Sequence, residues 1–278
     1  MLIFNVASEC GTDISPAEVA RQEGRFRLLR QLRGPAETYV FPLYYHVVAQ
    51  DETFAGGWLQ DETVHQMVSL LNNGFVGTGV SFRLEGIGRH LNSTWFRNAD
   101  NKQGVALERE MKERTRVGGG DSLNVWTVGM QGPDAPAGYA KFPWNFENDR
   151  AIDGVVVKWS LIPGGSPRRS GKTLIHEAGH WVGLYHTFQG TKGCTGDGDS
   201  VADTPMQGES TSLSAGCGPS DTCPDQPGDD PVFNYMDYSS DECRSLFTPG
   251  QIERMKQMLS TYRAPSAPSV PVDQQDDE

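Results

Sequence analysis

The period of the apolar positions changes along the chain, and each change marks a different kind of element. Residues 39–48 form a β-rich apolar run. From Val80 onward the apolar residues Val80, Phe82 and Leu84 alternate with Ser81, Arg83 and Glu85. A period of two marks a strand with one buried face. Between these runs Val64, Met67, Val68 and Leu71 recur at helical spacing, and Asn72-Asn73-Gly74 supplies the stop. An amphipathic stretch over 105–116 predicts a further helix, and the short apolar runs at 123–128 and 155–157 predict strands. Strands interleaved with helices thus build a lobe that reaches about residue 185.

Upstream, residues 12–33 read as a helix. Ser15 can cap it, Pro16 suits its first position, and Glu18 stands where a capping box needs a carboxylate. Five arginines lie between Arg21 and Arg33, and the helix ends at Gly34-Pro35. Basic and weakly apolar, it reads as a detachable leader. Downstream of the lobe, residues 187–243 hold 8 Gly, 5 Pro and 11 Asp+Glu against the single cation Lys192. Apolar burial cannot hold such a segment, so cross-links and bound cations are expected. Thr248-Pro249-Gly250-Gln251 opens a last helix with Ile252, Met255, Met258 and Leu259 on one face. Residues 264–278 lack the apolar content to pack.

Composition narrows the partners. No apolar run exceeds four residues in this 278-residue chain, whereas a membrane-spanning helix needs about 20. A net charge of −12 argues against nucleic acid and anionic membranes. Peptides, small molecules and cations remain. Four of the five cysteines (Cys194, Cys217, Cys223, Cys243) lie close together and Cys10 stands alone. Without a C-x-x-C pair the four read as two disulfides rather than a structural zinc site, and disulfides imply an oxidising compartment. The expectation is a secreted protein whose signal peptide is not visible in this sequence.

The chemistry is concentrated in HEAGHWVGLYH, residues 176–186, which holds three of the six histidines. If 172–184 is helical, His176 and His180 lie one turn apart on one face, where one metal ion can bridge them. Glu177 is rotated by about 100° and sits beside the metal. Gly183 can end the helix with a positive φ and bring His186 to the same ion. Three neutral nitrogens leave a fourth zinc position for water, the mark of a catalytic site, and zinc lowers that water's pKa towards about 7. Glu177 then serves as general base in peptide hydrolysis. The competing reading, ordinary core histidines, leaves the extended spacing H-E-x-x-H-x-x-G-x-x-H unexplained; that spacing marks metzincins. Asn234-Tyr235-Met236-Asp237-Tyr238 fits the methionine turn of the same enzymes, with Met236 as an apolar floor beneath the imidazoles.

Further segments extend the likeness: Leu123-Asn124-Val125-Trp126-Thr127-Val128, Gly138-Tyr139-Ala140, Gly198-Asp199 with Asp203-Thr204-Pro205, and Phe247-Thr248-Pro249-Gly250-Gln251. With the zinc motif, the methionine turn and the four late cysteines, the chain resembles the pappalysin family of metzincins across about residues 39–263. Sequence alone allows three disulfide pairings; the resemblance implies Cys194 with Cys223 and Cys217 with Cys243. It also implies that Tyr238 donates to the oxyanion, and that calcium binds near 194–205 with Asp197, Asp199 and Asp203 as candidate ligands. Asp241 corresponds to a residue lining the pocket for the side chain after the scissile bond, which favours Arg or Lys there. Cys10, in Glu9-Cys10-Gly11-Thr12, resembles a prosegment cysteine whose thiolate fills the water's place on zinc, with cleavage expected between Arg30 and Thr38.

The expectation is an α+β metzincin-type zinc protease. Residues 1–37 form a prosegment-like leader, 38–263 the catalytic domain (upper lobe 38–186, lower lobe 187–263) and 264–278 a disordered tail. It acts as a secreted monomer on polypeptides, with zinc, calcium as a second candidate ion, and no nucleic-acid or membrane partner. The strand at 123–128 or its neighbour is expected to offer an open edge to substrate. A zinc-stiffened binding module and a hydrolase of small amides or esters are the alternatives. Gly118-Gly119-Gly120 reads as a turn, 166–169 as a solvated basic loop, Asn92-Ser93-Thr94 as a glycosylation sequon, and His46, His65 and His90 as structural.

Overall fold

The structure is a computed structural model that describes residues 10–32, 34–131, 135–164, 170–191 and 194–263. The expected tail at 264–278, the basic loop at 166–169, Lys192 and Glu9 lie outside them. The chain folds as α1 (Pro16–Leu29), β1 (Tyr39–Ala49), α2 (Asp61–Gly74), β2 (Val80–Leu91), α3 (Ser93–Asn98), α4 (Val105–Thr115), β3 (Leu123–Val128), β4 (Gly138–Ala140), α5 (Asn145–Asn148), β5 (Val155–Lys158), α6 (Lys172–Trp181) and α7 (Pro249–Tyr262). The fold is α+β, as the sequence predicts.

One mixed sheet runs in the order β2-β1-β3-β5-β4. β1 pairs in parallel with β2 and β3, and β3 in parallel with β5, while β4 is antiparallel to β5. Alternate side chains feed two cores, because successive strand residues point to opposite faces. Leu43, Tyr45, Val125, Val155 and Val157 join α2 and α6 on one face, and Val48, Trp126, Val128 and Val156 join Trp95, Phe96 and Met111 on the other. With both faces covered, β3 is buried at every position. That corrects the first choice of open edge, β3, while its neighbour in the chain, β4, is an edge. β3 lies inside the sheet between β1 and β5, and the edges are β2 and β4. β4, only three residues long, is the edge beside α6.

The lower lobe is irregular and held by polar pegs. Disulfides join Cys194 to Cys223 and Cys217 to Cys243. Buried Asp237 accepts from Gln207 Nε2 (3.0 Å) and the Thr211 N–H (3.1 Å), and Asp230 accepts from Ser220 Oγ and Thr222 Oγ1 at 2.7 Å each. α7 starts with a complete capping box between Thr248 and Gln251. In α1 only half of the expected box forms. Ser15 accepts from the Glu18 N–H, while the Glu18 carboxylate turns to Arg21 and Gln22. Among the described residues no helix is long and apolar enough to cross a membrane.

Candidate active site

α6 is buried from Thr173 to Trp181 and stops sooner than the pattern predicts, with Val182 at its C-cap. Gly183 follows at φ +105°, and a Cβ there would meet Met258 Cγ at 2.6 Å, so both backbone and packing require glycine. The turn brings His186 back against the helix. His180 Nε2 and His186 Nε2 lie 3.1 Å apart, and the His176 ring is 4.8 Å and 5.2 Å from theirs. Cys10 Sγ, from the segment ahead of α1, stands 3.5 Å from His180 Nε2 and 3.4 Å from Glu177 Oε2. The ligand atoms of Cys10, His176, His180 and His186 all lie within 4.8 Å of one another. Among the described residues this is the group of His, Cys, Asp and Glu able to hold a metal ion.

The tautomers follow from the outer contacts. His176 Nδ1 is 2.7 Å from the Tyr235 carbonyl and His180 Nδ1 is 2.8 Å from the Leu184 carbonyl. A carbonyl only accepts, so each Nδ1 carries the proton and each Nε2 presents a lone pair inward. His176 Nε2 is buried with no hydrogen-bond partner. Burial pushes all three imidazoles below the usual histidine pKa, His180 to about 4, which keeps them in the neutral form that binds metal. The orphaned His176 Nε2, a soft thiol and tight spacing fit a zinc ion, whose Zn–N and Zn–S distances are about 2.0–2.3 Å. Burial and, next, the Glu177 carboxylate raise the Cys10 thiol well above its ordinary pKa; a coordinating cation reverses that preference.

Several partners of the site are not legible in the zinc motif. Gly138 of β4 packs on Glu177, and a Cβ there would lie 2.9 Å from Glu177 Cγ. A Cβ on Gly179 would meet Met236 Sδ at 2.4 Å, so the glycine inside α6 makes room for the methionine floor. A helix-interior glycine costs about 1 kcal/mol, and that cost was the signal available in the sequence. Thr12 donates to Glu177 Oε2 at 3.2 Å and accepts from the Ala140 N–H at 2.8 Å, while the Gly11 N–H donates to the Gly138 carbonyl at 2.8 Å. Residues 10–12 therefore lie along the β4 edge. The Tyr238 ring sits 5.0 Å from His186 and 5.7 Å from His176, with Phe188 stacked on His186.

The remaining predicted residues lie elsewhere. Asp241 is 2 % exposed, ion-paired with Arg244, and accepts from the N–H groups of Ser170 and Lys172 at the start of α6. It holds the catalytic helix by its N-terminus. Asp197, Asp199 and Asp203 do not converge into a metal-holding group. Asp203 accepts from Thr248 Oγ1 (2.7 Å) and the Gly250 N–H (2.8 Å), tying the loop to α7. Asp199 is buried beside the Val201 N–H, and burial raises its pKa to about 7. His46 contacts His90 and Asn124 inside the sheet. Asn92 caps α3 by accepting from the Trp95 N–H.

A helix carrying two inward imidazoles, a glycine turn to a third, and a methionine turn beneath define a metzincin-type metalloprotease. Residues 123–260 match the peptidase family described as Pregnancy-associated plasma protein-A. An extracellular metalloprotease of Verticillium alfalfae is 42% identical over 92% of this chain and 90% of its own length. One from Colletotrichum graminicola is 43% identical over 82% of this chain and 79% of its own. Among solved structures, a mutant of Tannerella forsythia promirolysin matches with a TM-score of 0.72 and 24% identity, covering 91% of this chain and 95% of that one. Mature mirolysin with a cleaved peptide matches at 0.66 and 25%, covering 82% and 97%. The chain belongs to the pappalysin family of metzincin metalloproteases.

Proposed function

We propose that the chain is a secreted, monomeric zinc endopeptidase made as a latent precursor. The observation that carries this reading is the pocket in which Cys10 Sγ meets three buried imidazoles and the Glu177 carboxylate. His176, His180 and His186 would hold the zinc, which supplies a Lewis acid for the scissile carbonyl and an acidified water. Glu177 takes the proton of the attacking water and passes it to the leaving amine. Tyr238, beside two of the imidazoles, donates to the oxyanion. The β4 edge at Gly138–Ala140 offers its backbone groups to an extended peptide, and the leader uses those groups while Cys10 fills the pocket. The extracellular names of the fungal relatives support secretion. The larger share of this chain covered by the precursor form of mirolysin supports the leader reading of residues 1–37.

Two finer parts of the proposal concern selectivity and calcium. Asp241 favours Arg or Lys after the scissile bond, although in the precursor its charge is shared with Arg244. Calcium near 194–205 is the second ion of the proposal, with Asp197, Asp199 and Asp203 as its candidate ligands, although the three do not converge here and Asp203 is tied to α7. Proteome-wide cleavage-site profiling of the activated protein beside Glu177→Ala tests the main reading. Cleavage before Arg and Lys is expected, falling about 100-fold or more in the variant. Equal cleavage by both proteins refutes the assigned base. Cleavage without a basic preference, or a preference that survives Asp241→Ala, removes the selectivity. An unchanged melting temperature when calcium is added after chelation removes the second ion. Cys10→Ser is expected to speed self-activation, and an unchanged rate refutes the thiol's part in latency.

A further inference from the structure

The leader touches the body in two separate places. One is the extended stretch through Cys10 and Thr12 on β4. The other is α1, which lies against α7. Gln22, Glu23 and Phe26 are buried on one face of α1, Arg21 and Arg27 are exposed, and Arg25 pairs with Glu147 and lies over the Tyr262 ring. Phe26, 2 % exposed, shares an apolar cluster with Phe142, Trp144, Tyr185, Met258 and Tyr262. Next to it the Glu23 carboxylate receives Arg254 Nη1 at 3.2 Å and Nη2 at 2.5 Å.

Arg254 belongs to the body. Its Nε donates to the Gly183 carbonyl at 3.0 Å, and its guanidinium lies 4.8 Å from the Tyr185 ring centroid. The leader thus supplies the carboxylate for a buried cation that already grips the turn leading to His186. Cavities of about 420 and 240 Å³ separate α1 from the 196–202 loop, and the larger one also reaches Gly250, Glu253 and Gln257 of α7, beside the Glu23–Arg254 pair. The link to the catalytic domain is different. Residues 34–38 are exposed.

We propose that Arg254 and the surrounding rings form a second, metal-independent seat for the leader, so that cutting within 34–38 leaves residues 10–32 bound as a non-covalent inhibitor. The seat fits a helical segment presenting a carboxylate three residues before an aromatic ring, as Glu23 and Phe26 do. The cut adds one water across a peptide bond and touches none of these contacts. Departure of the leader strips the carboxylate from a buried guanidinium, a costly separation. Activation therefore has a second step after hydrolysis: dissociation or destruction of the leader. This inference rests on reading residues 1–37 as a removable leader.

The test uses the full-length Cys10→Ser precursor, zinc-loaded, with residues 34–38 replaced by the recognition sequence of a site-specific protease. After nicking, native mass spectrometry and gel filtration at micromolar concentration should find the leader with the body. Glu23→Gln should weaken that association by about 30-fold or more, and Phe26→Ala should weaken it as well. The nicked precursor should remain inactive until dilution releases the leader. Complete release of the leader on nicking, or retention unaffected by either substitution, overturns the proposal. Retention is read by mass, so a body that keeps its leader in these assays and still cleaves nothing once stripped refutes the peptidase reading and leaves the seat standing.

Discussion

The upper and lower lobes solve the same problem by different physics. The upper lobe covers both faces of a sheet and buries Leu43, Tyr45, Val47, Val125 and Val155 completely. Burial at about 25 cal/mol per Å² then does most of the stabilising. The lower lobe has hardly any regular structure before α7, and two disulfides, buried carboxylates and side-chain amides take the place of a sheet. The site lies where they meet. His176, His180 and Glu177 come from α6 of the upper lobe and His186 from the turn after it, while the methionine floor and the carbonyl that orients His176 come from the lower lobe. A catalytic helix on a rigid core can thus be tuned by a segment held only at points.

Each lobe should therefore fail under a different insult. Removing both disulfides is expected to cost about 3 kcal/mol per loop. The loss should appear first as faster amide exchange across 194–243, with the sheet still protected; simultaneous loss of both lobes would refute the contrast. Leu43→Ala should cost about 2–5 kcal/mol by opening a cavity, with denaturant unfolding showing the sheet and α6 lost together. A pH series sharpens the comparison. His46 is 3 % exposed and burial lowers its pKa from 6.5 to about 4. The unfolded chain binds a proton there that the folded one refuses. Its contribution is whole above about pH 6.5 and declines by up to about 3 kcal/mol as pH falls towards 4. In His46→Phe that part of the slope should vanish; an unchanged slope assigns acid sensitivity elsewhere. The smallest effect is expected for Asp203→Ala, about 1 kcal/mol from the lost tie to the α7 N-terminus, read as a lower melting temperature with the upper lobe's exchange unaltered.

The legible parts of the fold were those set by neighbours in the chain. Ser15 and Thr248 cap their helices because a side-chain oxygen reaches an N–H three residues on, and no distant residue is needed. β2 and α2 announce themselves through the alternation over 80–85 and the helical spacing of Val64, Met67, Val68 and Leu71, and β1 through its β-rich apolar run. β4 does not, because three residues cannot show a period, and its place at the edge depends on which strands pair. The same distinction holds at the site. HEAGHWVGLYH carries its own geometry within three helical turns, whereas Thr12 at Glu177 and Glu23 at Arg254 join residues more than a hundred positions apart.

By itself the sequence determined the metal-binding chemistry, the family and the capped starts of α1 and α7, since these depend on residue type and short-range spacing. Tertiary structure decided that β3 is interior and β4 the edge, that Asp241 and Asp203 hold helix ends, and that Glu23 meets Arg254 while Cys10 meets the pocket. Those outcomes depend on which surfaces meet when distant segments compete to cover apolar area and satisfy buried polar groups. That competition is settled by the whole chain at once.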